Sequence, residues 1–266
     1  MSTPHTETFI VALAEAGVRV EYMRDALPRS AARTWSQRDV QAIKGVCFHH
    51  SATAGGDLAA LIGVANYHAG PNHISDKGCP GVCYTAAILA DGTLVICNDL
   101  ESKTWSQGTA KIPGDENAAY LGIVALGSFR SPGNPSGGEP TPQQMLTVLQ
   151  VIDVCYTYFG WEDGIRVFGH FDFGKAACPG STLEAIIRAA RANVVTHTGH
   201  DLDTAGGRQA ALNELGYPLG AVDGVWGARS RAALCQFQKE HGLSVDAVWG
   251  PRVTAAVLDA LKEAKS

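Results

Sequence analysis

The chain has 266 residues, 45% of them hydrophobic and 18% charged, a composition that excludes a disordered protein and supplies apolar side chains for one sizeable core and a smaller second unit. A formal net charge of −5 without any basic stripe excludes nucleic acid as the main partner, because counterion displacement from phosphates needs clustered Lys and Arg. The N-terminal stretch lacks a basic n-region followed by an apolar run, and nowhere do about 18 apolar residues run together, so the expectation is synthesis in the cytoplasm without a signal peptide and no membrane insertion.

In chain order, residues 6–16 read as an amphipathic helix and the β-prone run 44–49 as a strand. The segment after it carries apolar residues at helical spacing, with Asp57 placed as N-cap. Residues 84–97 hold two apolar runs joined at Asp91-Gly92, a hairpin signal, and 121–127 reads as a buried strand. Thr141-Pro142-Gln143-Gln144 combines a capping hydroxyl, proline at the first helical position and glutamine at the third, which predicts a helix from Thr141 to about Phe159. Residues 165–169 read as a strand that delivers His170 to its C-terminal end. Ser181-Thr182-Leu183-Glu184 is a second capping-box pattern opening a helix. The fold class is therefore α/β, with a central mixed β-sheet flanked by helices.

From about residue 203 the pattern changes to helices only. Residues 221–234 and 244–257 share V-D-x-V-W-G-x-R followed by small and apolar residues, so the tail holds two copies of one turn-plus-helix unit. Trp226 and Trp249 read as core anchors of a small bundle, with part of their surface available for binding. The expected division is a first domain over 1–192, a linker over 193–203 and a small three-helix domain over 204–266.

His170 and Cys178 stand eight positions apart in G-H-F-D-F-G-K-A-A-C-P-G, on a strand-to-helix loop. A catalytic zinc takes three protein ligands and leaves one position open. The third could come from His49-His50, of which alternation along a strand lets only one face a given pocket. On pattern alone, these residues read equally as a zinc site or as hydrogen-bonded histidines beside a buried thiol. Cys79 and Cys83 could form a second metal clip with Cys97 or His73, but their three-residue gap departs from the usual knuckle and favours buried thiols. Asp172 reads equally as a partner of a ligand histidine or as a solvated side chain.

The runs FHHSAT (48–53), CYTAAILADGT (83–93), NAAYLGIVALGSF (117–129), TPQQ (141–144) and GHFDFGKAACPG (169–180) come in the order found in zinc-dependent N-acetylmuramoyl-L-alanine amidases. The chain resembles the type-2 family that includes bacteriophage T7 lysozyme and the animal peptidoglycan recognition proteins, over roughly residues 40–190. Its tail is similar to small peptidoglycan-binding domains, whose signature lies close to Asp223–Ser230.

The resemblance implies one catalytic Zn2+ held by His49, His170 and Cys178, with His50 packing or hydrogen bonding behind the site. It implies Tyr84 as the active-site tyrosine, and His68 resembles a family groove histidine, although a histidine ending a helix also has an ordinary dipole role. Asn117, Trp226 and Trp249 are the other residues expected to bind substrate. The family places a catalytic lysine or threonine two residues before the third ligand, where this chain has Ala176. Either the loop is rearranged so that Lys175, three residues before that ligand, reaches the same point, or the role is vacant; the rearranged loop is the expectation. The function so implied is hydrolysis of the bond between N-acetylmuramic acid and L-alanine in bacterial peptidoglycan by a monomeric phage endolysin. It would accumulate in the cytoplasm of the infected host and act on the wall after release. A bacterial housekeeping amidase and a non-catalytic recognition protein are the alternatives, the latter disfavoured by Cys178.

Overall fold

The run GVCFHH, up to its two closing histidines, and the run YLGIVA are apolar on both faces, the pattern of parallel strands covered by helices on either side. In the computed structural model both are strands, buried along almost their whole length. The structure describes residues 2–71, 77–107, 115–131, 137–161, 165–198, 200–217 and 219–265. Its elements in order are α1 (Pro4–Glu15), β1 (Val20–Tyr22), β2 (Gly45–His50), α2 (Leu58–Ala69), β3 (Ala86–Ile88), β4 (Leu94–Ile96) and α3 (Glu116–Ala119). They continue as β5 (Tyr120–Ala125), α4 (Pro142–Tyr158), β6 (Val167–Gly169), α5 (Ser181–Thr198), α6 (Ala205–Glu214), α7 (Ala228–Glu240) and α8 (Pro251–Lys265). No helix among the described residues is long and apolar enough to cross a membrane.

The sheet order is β1-β4-β3-β5-β2-β6, and only the β3–β4 hairpin is antiparallel. That hairpin turns at Gly92, whose φ of +85° suits glycine, and a Cβ there would come within 3.1 Å of Gln143 on α4. The capping box at α4 forms as its sequence indicates, Gln144 N–H donating to Thr141 Oγ1 and Thr141 N–H to Gln144 Oε1. The same glutamine then donates from Nε2 to the carbonyls of Ile88 and Leu126, tying the helix start to two strand ends.

The second capping pattern is not used. Ser181 is the first residue of α5, and its hydroxyl donates to Arg130 C=O, while Glu184 N–H bonds Gly180 C=O. A nearby acceptor outside the helix has taken the serine, which local sequence cannot reveal. Strand β1 also lacked a sequence signal, being only three residues long and stabilised by parallel pairing to β4.

The chain divides into two compact units, residues 1–161 with 167–185 and residues 162–166 with 186–266. Helix α5 runs to Thr198, so the first half of the stretch expected as a linker is helical, and the division falls inside that helix. His73, named above as a partner for the Cys79 and Cys83 clip, lies outside the described residues.

In the second unit Leu212, Leu234, Phe237, Val257, Leu258 and Leu261 are buried. Trp226 and Trp249 are not core anchors. They are half-buried and pack edge-to-face on each other at 5.5 Å, because each sits on a repeated turn outside the helical core. A buried glutamine on the preceding helix pins each turn. Gln209 donates to Asp223 Oδ1 and Val225 C=O and accepts Gly224 N–H, and Gln238 does the same with Asp246, Val248 and the Ala247 N–H. The left-handed residue is glycine in the first copy (Gly224, φ +72°) and alanine in the second (Ala247, φ +57°).

Replacing Gln209 or Gln238 by alanine strips the donors from a carboxylate and a turn carbonyl together. Each substitution should cost the second unit roughly 1–3 kcal/mol, read as an earlier denaturation midpoint of that unit; an unchanged midpoint would show that the turns hold without the amides.

Candidate functional site

Parallel pairing sets the site. Phe48 is in register with Gly169, so the residues that follow, His49 on β2 and His170 after β6, leave the sheet side by side. Gly169 is needed there, since a Cβ would lie 2.3 Å from the Phe171 ring. The chain then makes a 3-10 turn over His170–Phe173. Asp172 accepts the Gly169 N–H at 2.9 Å, so this carboxylate fixes the backbone that carries His170. Lys175 N–H bonds His170 C=O, Gly174 takes a left-handed φ of +86°, and Cys178 N–H bonds Lys175 C=O, folding the loop back so that Cys178 faces the histidines.

His49 Nδ1 lies 3.1 Å from His170 Nδ1 and 3.9 Å from Cys178 Sγ. The three ligand atoms fall within 4.8 Å of one another, and no other such grouping of His, Cys, Asp or Glu occurs among the described residues. Two imidazole Nδ1 atoms face each other, so either one carries a proton or a cation sits between them. Both Nε2 atoms are buried without a hydrogen-bond partner among the described residues, which leaves the Nδ1 side as the only engaged edge.

Electrostatics favour the neutral rings. Burial, then the facing His170 and neighbouring His50, hold His49 well below its usual pKa. Burial, then Lys175 and His50, bring His170 down to about 4. The Cys178 thiol is pushed up to about 12 by burial, partly opposed by a hydrogen bond from the His50 backbone. The donor set fits a tetrahedral zinc ion, for which bonds of about 2.0–2.1 Å to nitrogen and about 2.3 Å to sulfur set N···N and N···S edges near 3.4 and 3.6 Å.

Tyr84 stands over the cluster, its ring 5.1 Å from that of His49 and 5.6 Å from that of His68. Burial, with Cys178 as the next cause, keeps its hydroxyl protonated far above the usual range. Lys175 is exposed on the rim of a depression of about 400 Å³ shared with His50, His170 and Cys178. His50 thus lines that depression as well as supporting the site, its Nδ1 accepting the Phe129 N–H. His68 is buried and uses Nδ1 to accept the Cys83 N–H.

Asn117 does not join the site. It sits on α3, before β5, and β5 runs parallel to β2 with Gly45 paired to Tyr120 and His50 to Ala125, which puts Asn117 at the opposite end of the sheet from the histidines. Its Oδ1 accepts the Gln107 N–H there. Sequence reasoning also missed Asn98, buried, whose Nδ2 donates to the carbonyls of Val82 and Tyr84 while Oδ1 accepts from Trp35 Nε1. No spacing marks this residue, because its partners are backbone groups distant in sequence.

The N-acetylmuramoyl-L-alanine amidase family matches residues 39–181, and the peptidoglycan binding domain family matches residues 208–257. No curated protein matches the chain. Among solved structures, Drosophila peptidoglycan recognition protein SD is 15% identical over 64% of this chain and 94% of its own, with a TM-score of 0.50, and shares the fold. The endolysin N-acetylmuramoyl-L-alanine amidase LysCS from Clostridium intestinale is 20% identical over 66% of this chain and 96% of its own, with a TM-score of 0.45. Manduca sexta peptidoglycan recognition protein 1 is also 20% identical, over 64% of this chain and 89% of its own, with a TM-score of 0.47.

Both histidines bind protons more weakly in the folded chain than in the unfolded one. Between pH 6.5 and about 4 the unfolded chain therefore holds more protons, and the metal-free protein loses stability as pH falls through that window. The His170 contribution, present above pH 6.5, should shrink by roughly 2 kcal/mol by pH 4.5. Melting of chelator-treated protein across this range checks the slope, which His170→Ala should flatten.

Proposed function

The chain belongs to the N-acetylmuramoyl-L-alanine amidase family, and on that premise we propose that it is a zinc-dependent hydrolase. The bond it cuts joins N-acetylmuramic acid to L-alanine in bacterial peptidoglycan. The observation that carries this reading is the convergence of His49 Nδ1, His170 Nδ1 and Cys178 Sγ at the C-terminal ends of β2 and β6.

Bound zinc supplies Lewis acidity, polarising an amide carbonyl and lowering the pKa of water. The chain's own residues do the rest. His49 and His170 offer unprotonated Nδ1 atoms, and Cys178 gives up its thiol proton on binding the metal. Tyr84, kept protonated by burial, donates from Oη to the oxygen on which negative charge builds as the amide carbonyl becomes tetrahedral. Lys175 brings its Nζ charge to the rim beside His170 and adds to the same stabilisation.

A non-catalytic recognition protein shares the fold, but two histidines and a cysteine grouped beside a depression that His170 and Cys178 line favour catalysis. The second unit supplies wall contact through the Trp226–Trp249 pair and the exposed Val222, Val225, Val245 and Val248 around it. A cutting unit coupled to a wall-binding unit suits an endolysin released into the wall of an infected host; a neighbouring gene for a membrane pore distinguishes this from a housekeeping enzyme. Digestion of purified peptidoglycan with mass analysis of the products tests the activity directly: free muramoyl ends and peptides beginning at L-alanine are expected, and intact glycopeptide or cleavage at any other bond overturns it.

Substitutions at the site should separate into two groups. His49→Ala, His170→Ala and Cys178→Ser should lose bound zinc and activity together. Tyr84→Phe and Lys175→Ala should keep the metal and lower kcat by roughly 10²-fold, the scale for one lost transition-state donor. Full kcat in Lys175→Ala would remove that residue and leave the oxyanion to Tyr84. In the second unit, a Trp226→Ala/Trp249→Ala chain should stay in the supernatant when unmodified protein sediments with purified walls, while its rate on soluble muropeptide is unchanged.

A further inference from the structure

Outside the metal site, the segment Cys-Pro-Gly-Val-Cys over residues 79–83 brings two sulfurs together. Cys79 Sγ and Cys83 Sγ lie 2.8 Å apart, both thiols free and buried against Trp35 and the half-buried Trp105. The surrounding scaffold holds them in place. Cys79 N–H donates to His68 C=O at 2.7 Å, Cys83 N–H to His68 Nδ1 at 3.1 Å, and Asn98 Nδ2 holds the intervening Val82 C=O at 2.8 Å.

This spacing decides between the two uses of a cysteine pair. A tetrahedral metal with bonds of about 2.3 Å to sulfur keeps its thiolates near 3.8 Å apart, well beyond what is found here. A disulfide needs about 2.05 Å, less than an ångström of closure. The contact with Cys83 lowers the Cys79 pKa, burial opposes this, and the Arg33 guanidinium, hydrogen-bonded to Gly78 C=O, assists the lowering. Cys79 is the group that reaches the thiolate form first.

We propose that Cys79 and Cys83 are a redox-active pair that closes to an intramolecular disulfide on exposure to hydrogen peroxide. The Cys79 thiolate attacks one peroxide oxygen, the O–O bond breaks, and a sulfenic acid and hydroxide result. Cys83 sulfur then attacks Cys79 sulfur, the S–O bond breaks as the S–S bond forms, and the released oxygen leaves as water with the protons of the two groups. Two thiols lose two electrons in total, and one peroxide becomes two waters. The closed five-residue ring ends one residue before Tyr84 and staples the turn that holds Tyr84 and His68, without rebuilding it.

The test is peroxide titration of the full-length protein, followed by alkylation in denaturant and peptide mapping. Alkylated cysteines should fall from seven to five, with the 79–83 segment lighter by two hydrogens. The first unit should melt about 4–8 °C higher, the gain expected for closing a ring of this size. Thiol reductant should reverse the shift, and Cys79→Ser/Cys83→Ser should abolish it. Both cysteines remaining alkylated, or either one joined to Cys97 instead, overturns the proposal, as does a second equivalent of zinc held by the pair. The peptide map of the unmutated chain decides the matter even where the double variant fails to fold.

Discussion

The rest of the site depends on the parallel pairing of β2 between β5 and β6. Its register, with Phe48 opposite Gly169, brings two histidines separated by 120 intervening residues to one sheet end, at 3.1 Å between their Nδ1 atoms. A slip of one residue would turn His49 to the other face and replace it with His50, since strand side chains alternate. What opposes the slip is that β2 and β5 are packed on both faces, so a displacement would put side chains of different volume into filled positions. The loop from His170 to Cys178 then needs only to fold back, which Asp172 and the left-handed Gly174 enable.

Short strands and irregular connections leave many backbone carbonyls without strand partners, and buried polar side chains meet that need. Arg38 is the largest case. It donates from Nε to Leu100 C=O, from Nη1 to the carbonyls of Asn117 and Tyr120, and from Nη2 to Thr85, with burial bringing its pKa down to about 10. Gln144 does the same for β3 and the end of β5, and Asn98 for the turn carrying Tyr84. These side chains position the chemistry without performing it. The tyrosine reaches the histidines because an asparagine holds its carbonyl, and His170 is aimed because a carboxylate two residues later caps its turn.

The second unit uses the same device in duplicate. Gln209 and Gln238 come from successive helices and make matching bonds to matching turns, although their spacings to the turn aspartates differ. The glutamines satisfy the turn backbone from within, while the turn valines Val222, Val225, Val245 and Val248 are exposed and the two tryptophans are half-buried against each other. The two copies meet through their tryptophans, whose rings are in edge-to-face contact.

Local patterns in the sequence determined the hairpin at Asp91-Gly92, the capped start of α4, the strand before His170 and the duplicated turn, because each depends on neighbours within a few positions. The likeness of ordered motifs pointed to the family, and to His49, His170 and Cys178 as one group, which spacing alone left open. Tertiary structure alone decided the rest. It took Ser181 from its capping role by offering Arg130 C=O, set Asn117 at the far end of the sheet through the parallel direction of β5, and left Trp226 and Trp249 half-buried against each other outside the helical core. It also brought Cys79 and Cys83 into contact around a turn held by His68 and Asn98. The reason is common to all of these: each outcome depends on which distant donor, acceptor or apolar surface arrives at the residue once the chain has folded, and a local pattern carries no record of it.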